Sequence, residues 1–202
     1  MFQTLFVWPT TRVFTKNMSA LDELFSGDDA RATAALALIE DENLPALVEA
    51  LTSSDADTRW WAVCALARLS DERATNALLA AAADADVEVR TAVLHGLGEI
   101  RAPEAVTPLL FALGDPSLYL ARIAADALIH IGEPAVPGLI RALEQDAQPQ
   151  VRANAARALA LIGDKSAIPA LFHALEDDSM MVQHWADEGL ERMGVGQVYF
   201  KP

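Results

Sequence analysis

One leucine recurs every 31 residues through most of this 202-residue chain. Leu66, Leu97, Leu128, Leu159 and Leu190 stand in "WWAVCALARL", "TAVLHGLGEI", "IAADALIHI", "ANAARALALI" and "HWADEGLERM". Four positions earlier come Ala62, Val93, Ala124, Ala155 and Ala186; three positions later come Leu69, Ile100, Ile131, Ile162 and Met193. Offsets of four and three trace one face of an α-helix, and the small residues sit where a neighbouring helix must come close. A regular period of this length is the mark of a repeat architecture.

A second apolar stripe follows in each unit: "NLPALVEAL", "TNALLAAA", "VTPLLFAL", "AVPGLIRAL" and "AIPALFHAL". Pro45, Pro137 and Pro169 fall two residues before the aligned leucine, where the first turn of a helix has N–H groups without partners. Each unit is therefore expected to be a helical hairpin of about 30 residues, too small to bury its own faces and stable only when stacked. A partial copy around "ARATAALALIE" carries Leu38 three residues out of register, and "SALDELFSGDD" reads as half of a further unit capped by Ser19. The expectation is an all-α solenoid over residues 19–194: a half-unit, five helical pairs and a terminal capping helix. Residues 1–18 are expected to be a loosely held extension, or an upstream start ahead of Met18, and 195–202 a tail.

Composition agrees with close-packed helices, since 52% of residues are hydrophobic but only 6% aromatic. The net charge of −14 repels phosphate backbones, and no local basic patch offsets it, so nucleic acid is not an expected partner. Cys64 is the single cysteine, which excludes an internal disulfide. No apolar run reaches the ~18 residues of a membrane span. "MFQTLFVWPTTRVFTKN" lacks the order of a secretory signal, and the cytoplasm is the expected location. Acids gather between units, as at Asp55 and Asp57, Asp84 and Asp86, Asp115, Asp146, and Asp177–Asp178. There they can cap the first helix of each pair and face its positive end. Seven residues before the marked leucine stand Arg31, Arg59, Arg90 and Arg152, with Arg122 one place displaced.

The period and pattern resemble HEAT repeats. "VRANAARALALIGDKSAIPALFHALEDD" is closely similar to the short bacterial type known as PBS-lyase HEAT-like repeats, and the resemblance covers roughly residues 28–194. It implies a ladder in which Arg31, Arg59, Arg90, Arg122 and Arg152 pair with inter-unit aspartates such as Asp84, Asp115 and Asp177. It also implies that the second helices line a concave side, where a partner protein would meet Glu49, Phe111, Arg141 and His173. Trp60 and Trp61 are adjacent, so one helix cannot turn both inward, and they mark a second candidate patch on the opposite side.

Three groups of residues bear on chemistry. Deoxyhypusine hydroxylases of this repeat class hold iron through His-Glu pairs. His184 occupies the matching place, but Trp185 follows it, and the equivalent pairs elsewhere contain no His-Glu; that reading is rejected. The column Cys64, His95, Asp126, Arg157, Glu188 orders like a nucleophile, base and orienter, yet equivalent positions on stacked helices stand ~8–10 Å apart, too far for proton transfer. His184, Asp187 and Glu188 cluster in the last helix, where polar residues suit an end unit that no further unit covers. The expected function is a non-catalytic scaffold or adaptor without cofactor or metal, monomeric or weakly dimeric, that binds another protein. The alternative is a lyase- or chaperone-type protein acting on phycobiliproteins or another cofactor-bearing partner.

Overall fold

The computed structural model describes residues 19–69 and 71–195. The expected N-terminal extension, and the expected tail apart from Val195, lie outside the described residues. Among the described residues every regular element is helical. A short helix α1 (Ala20–Leu24) leads into five pairs. These are α2 (Asp29–Ala35) with α3 (Leu44–Ala50), α4 (Ala56–Leu66) with α5 (Glu72–Ala81), α6 (Val87–Glu99) with α7 (Val106–Ala112), α8 (Leu118–Ile131) with α9 (Val136–Gln145), and α10 (Pro149–Ile162) with α11 (Ile168–Ala174). A further first helix, α12 (Met180–Arg192), is the last helix among the described residues. First helices pack on first helices and second on second, so the array has two layers with one continuous core between them.

The five marked leucines are buried, at 1% exposure or less, and the small residues four positions earlier are fully buried at 0%. Where α6 meets α8 the backbones come close. A Cβ added at Gly98 would stand 2.6 Å from the Ala127 Cα and 2.7 Å from its Cβ, so only glycine fits. First helices end in a repeated left-handed residue: Arg101 (φ 52°), Gly132 (φ 78°), Gly163 (φ 73°) and Gly194 (φ 81°), spaced by the same period. At each end the amide of this residue or of the next one donates back to the marked leucine. The Gly132 and Gly163 amides donate to the Leu128 and Leu159 carbonyls, both at 3.0 Å, and the Ala102 amide donates to that of Leu97 at 3.1 Å. Proline at the first turn of α3, α9 and α11 starts the second helices.

The joints between units are built on a second periodic set. Asp84, Asp115, Asp146 and Asp177 each accept the amide two residues on at 2.8 Å, turning the chain into the next first helix. The carbonyl of this same turn residue is held by a side chain six places later. Arg59 Nη1 donates to the Ser53 carbonyl at 2.9 Å, Arg90 Nη1 to Asp84 at 2.8 Å, Arg152 Nη1 to Asp146 at 3.0 Å, and the Gln183 amide to Asp177 at 2.6 Å. Two arginines also reach the next joint. Arg59 grips Asp84 with two bonds of 2.8 Å, and Arg152 grips Asp177 with bonds of 2.7 and 3.0 Å while also meeting Asp178.

The other ladder residues stand elsewhere. Arg31 pairs with Glu23 of α1 at 2.6 Å. Arg90 spends its guanidinium on the Asp84 and Ala85 carbonyls, and the Asp115 carboxylate accepts the Ser117 amide. Arg122 lies one residue past the ladder register, and about 100° of helix rotation turns it outward. It is 72% exposed and stands 4.0 Å from Asp126 on its own helix. The register position itself is Ala121, which is buried. Its work is done from the following unit: the Gln150 side-chain amide donates to the Asp115 and Leu113 carbonyls at 3.2 and 3.3 Å, and Asn154 donates to Leu113 at 3.3 Å.

Candidate partner-binding surfaces

The second-helix surface follows from the position of the aligned leucines. Leu47, Leu78, Leu109, Leu139 and Leu171 are fully buried, and a residue two places on is rotated by about 200°, so it faces away from the core. Glu49, Phe111, Arg141 and His173 are accordingly exposed on α3, α7, α9 and α11. Phe111 is the extreme case at 90% exposure. It borders a groove of about 680 Å³ lined by Leu79, Ala82, Ala83, Pro108 and Ala112, among others.

On the first-helix surface, Trp60 and Trp61 are both half-buried and meet edge to face, with ring centroids 4.8 Å apart at 87°. Trp60 lines an open groove of about 850 Å³ across α4, α6 and α8, together with Cys64, His95, Tyr119 and Ile123. Burial pushes the Cys64 thiol up to about 11, so it is protonated at neutral pH. His95 is exposed, and His130 turns to Glu99 of α6 at 3.1 Å. Further along the same column, Arg157 Nη2 reaches Asp126 at 2.7 Å, and its guanidinium lies 5.9 Å from the Trp185 ring centroid. Glu188 pairs with Arg192 at 2.7 Å, and His184 leans on Trp185, centroids 5.3 Å apart. Among the described residues no group of three or more His, Cys, Asp or Glu side chains could hold a metal ion. No single described helix is long and apolar enough to cross a membrane.

A third feature escaped the sequence reading. Leu118, Arg122, Arg157, Met181 and Trp185 border an open groove of about 810 Å³ running over the starts of α8, α10 and α12. The column that carries Arg157 was visible in the sequence, but its convergence with Arg122 and Trp185 depends on how three helices align.

Stacked helical hairpins with fixed joints and exposed strips define an α-solenoid, a class whose working parts are extended surfaces. The chain belongs to the HEAT-repeat family: the family model for HEAT repeats matches residues 19–94, 76–137 and 136–198. A phycobilisome maturation protein of Synechococcus elongatus is 35% identical over 118 residues, 57% of this chain and 56% of that protein. The chain thus spans about half the length of this curated relative. Among solved structures, the complex of CpcE and CpcF of phycocyanin lyase from Nostoc sp. is 26% identical, with a TM-score of 0.54 over 74% of this chain and 64% of that one. YibA of Escherichia coli, 18% identical with a TM-score of 0.57 over 85% of this chain and 68% of that one, shares the fold.

Proposed function

We propose that this chain is a protein-binding array serving phycobiliprotein maturation, which holds a partner protein on its second-helix surface and has no covalent chemistry of its own. The observation that carries this reading is Phe111, an aromatic side chain 90% exposed beside a groove whose apolar lining also holds Asp84, Arg90 and Asp115. With Arg141 and His173 in the following units it forms the aromatic-and-arginine anchor pattern that partner surfaces use, and Glu49 extends the strip. The similarity to a phycobilisome maturation protein supplies the partner class. The high Cys64 pKa supports a side chain that does not act as a nucleophile.

The test is binding of the purified chain to purified apo-subunits of phycobiliproteins, read by calorimetry and co-elution. A complex that Phe111→Ala plus Arg141→Ala weakens at least about tenfold is expected; absence of any complex would overturn the reading. The groove that brings Trp60, Cys64 and Tyr119 together favours a second reading, in which the chain handles an open-chain tetrapyrrole as a lyase or chaperone. Mixing the pure chain with a bilin separates the two. An unchanged visible spectrum supports the scaffold, whereas a stoichiometric absorbance shift supports the second reading.

A further inference from the structure

We infer that the groove over the starts of α8, α10 and α12 docks a short partner-protein segment in which a carboxylate is flanked by apolar side chains. This rests on the protein-binding reading above but assigns a different surface and a stated chemistry.

Two of the eight large apolar side chains left exposed among the described residues line this groove, Leu118 at 70% and Met181 at 56%, and Met180, next in the chain to Met181, is 82% exposed. Unbranched methionine adapts to varied apolar partners, and Met, Trp and Arg are the residues enriched where proteins meet. The charged residues lining the groove are Arg122 and Arg157, in a chain whose net charge is −14. Asp126 is the acid between them, bonded to Arg157 Nη2 at 2.7 Å and 4.0 Å from Arg122 Nε. One carboxylate against two guanidiniums leaves a local positive excess.

Arg157 supplies the sharper indication. Its Nη1 is buried and has no hydrogen-bond partner in the structure. An unpaired buried donor is costly, more so on a charged group, and a turn of the guanidinium toward an incoming carboxylate would satisfy it. Asp55, Asp86 and Ser117 cap α4, α6 and α8 through their side chains, but Gln148 and Ser179 make no such bond at α10 and α12. The first turns of these two helices therefore have no side-chain acceptor on their own N-cap residue, while Asp146 and Asp177–Asp178 stand just before them. An apolar floor and two arginines select an acidic–apolar segment over a basic one.

The experiment pans a displayed library of random twelve-residue peptides against the immobilised full chain. Enriched peptides should carry Asp or Glu next to Leu, Met or Phe. A synthetic copy should bind Arg122→Gln, Arg157→Lys and Met181→Ser each several-fold to about tenfold more weakly, with helical circular dichroism and melting unchanged for the two exposed positions. No enrichment, enrichment of basic peptides, or equal binding by Arg122→Gln and Met181→Ser would overturn the proposal. So would concentration-dependent self-association abolished by Met181→Ser, which would make a second copy the occupant. Loss of peptide binding in Phe111→Ser alone would move the site to the second-helix surface and leave the broader protein-binding reading standing.

Discussion

Asp84 and Asp177 do two jobs at once: each turns the chain between units and receives a guanidinium from the unit before. The bonds from Arg59 and Arg152 hold both carboxyls below the ordinary carboxylate range. A carboxyl with a lowered folded pKa contributes stability fully above its unfolded value, near 4, and loses it as pH falls through the folded value. Asp84→Asn and Asp177→Asn should therefore melt below the wild type at pH 7, and the gap should close on acidification below about pH 4. Thermal melts over that range check it, and a gap independent of pH would contradict the ion-pair account. Arg101 makes a separate case. It holds the left-handed position that glycine fills at 132, 163 and 194, and a side chain strains that conformation. Arg101→Gly should stabilise the chain by about 0.5–1 kcal/mol despite the added freedom of the unfolded state, as measured by urea titration.

Between helices, contact distance decides what a methyl group does. At Gly98 the added Cβ meets the backbone of α8, which cannot yield without moving the helix. At Gly138 it meets the far end of the Leu110 side chain, which can turn away. Gly98→Ala should cost about 1–3 kcal/mol, and Gly138→Ala clearly less. Equal losses in urea titrations would show that the α6–α8 contact is softer than its geometry. This also explains what sequence could reveal. The marked leucines and the small residues beside them were legible because a hairpin repeat is written locally, and every unit writes it again. Phe111 was legible as exposed because it stands two places from a buried leucine. Arg122 was read as a ladder arginine although one residue of displacement turns it outward, and nothing near Ala121 signals that Gln150, in the next unit, takes over its carbonyl. The groove of Arg157 and Trp185 stayed hidden for the same reason: it belongs to three helices and to no single stretch.

Across the whole molecule, each unit touches only its neighbours, so damage should spread from its place in the line. Leu128→Ala in the middle and Leu190→Ala at the end remove the same buried side chain, at an intrinsic cost of about 2–5 kcal/mol each. The middle substitution should quicken amide exchange throughout the array, whereas the end one should quicken it mainly in α11 and α12. Identical exchange maps would rule out a linear chain of couplings. The joints themselves are unlike one another. Two are fastened by charge, Arg59 to Asp84 near one end and Arg152 to Asp177 near the other, and the joint at Asp115 is fastened by the neutral amides of Gln150 and Asn154. Considered as a spring, the molecule has two coils clasped by an ion pair, with a coil clasped by neutral amides between them. Lowering the pH through the range where Asp84 and Asp177 protonate would loosen the two ion-paired clasps.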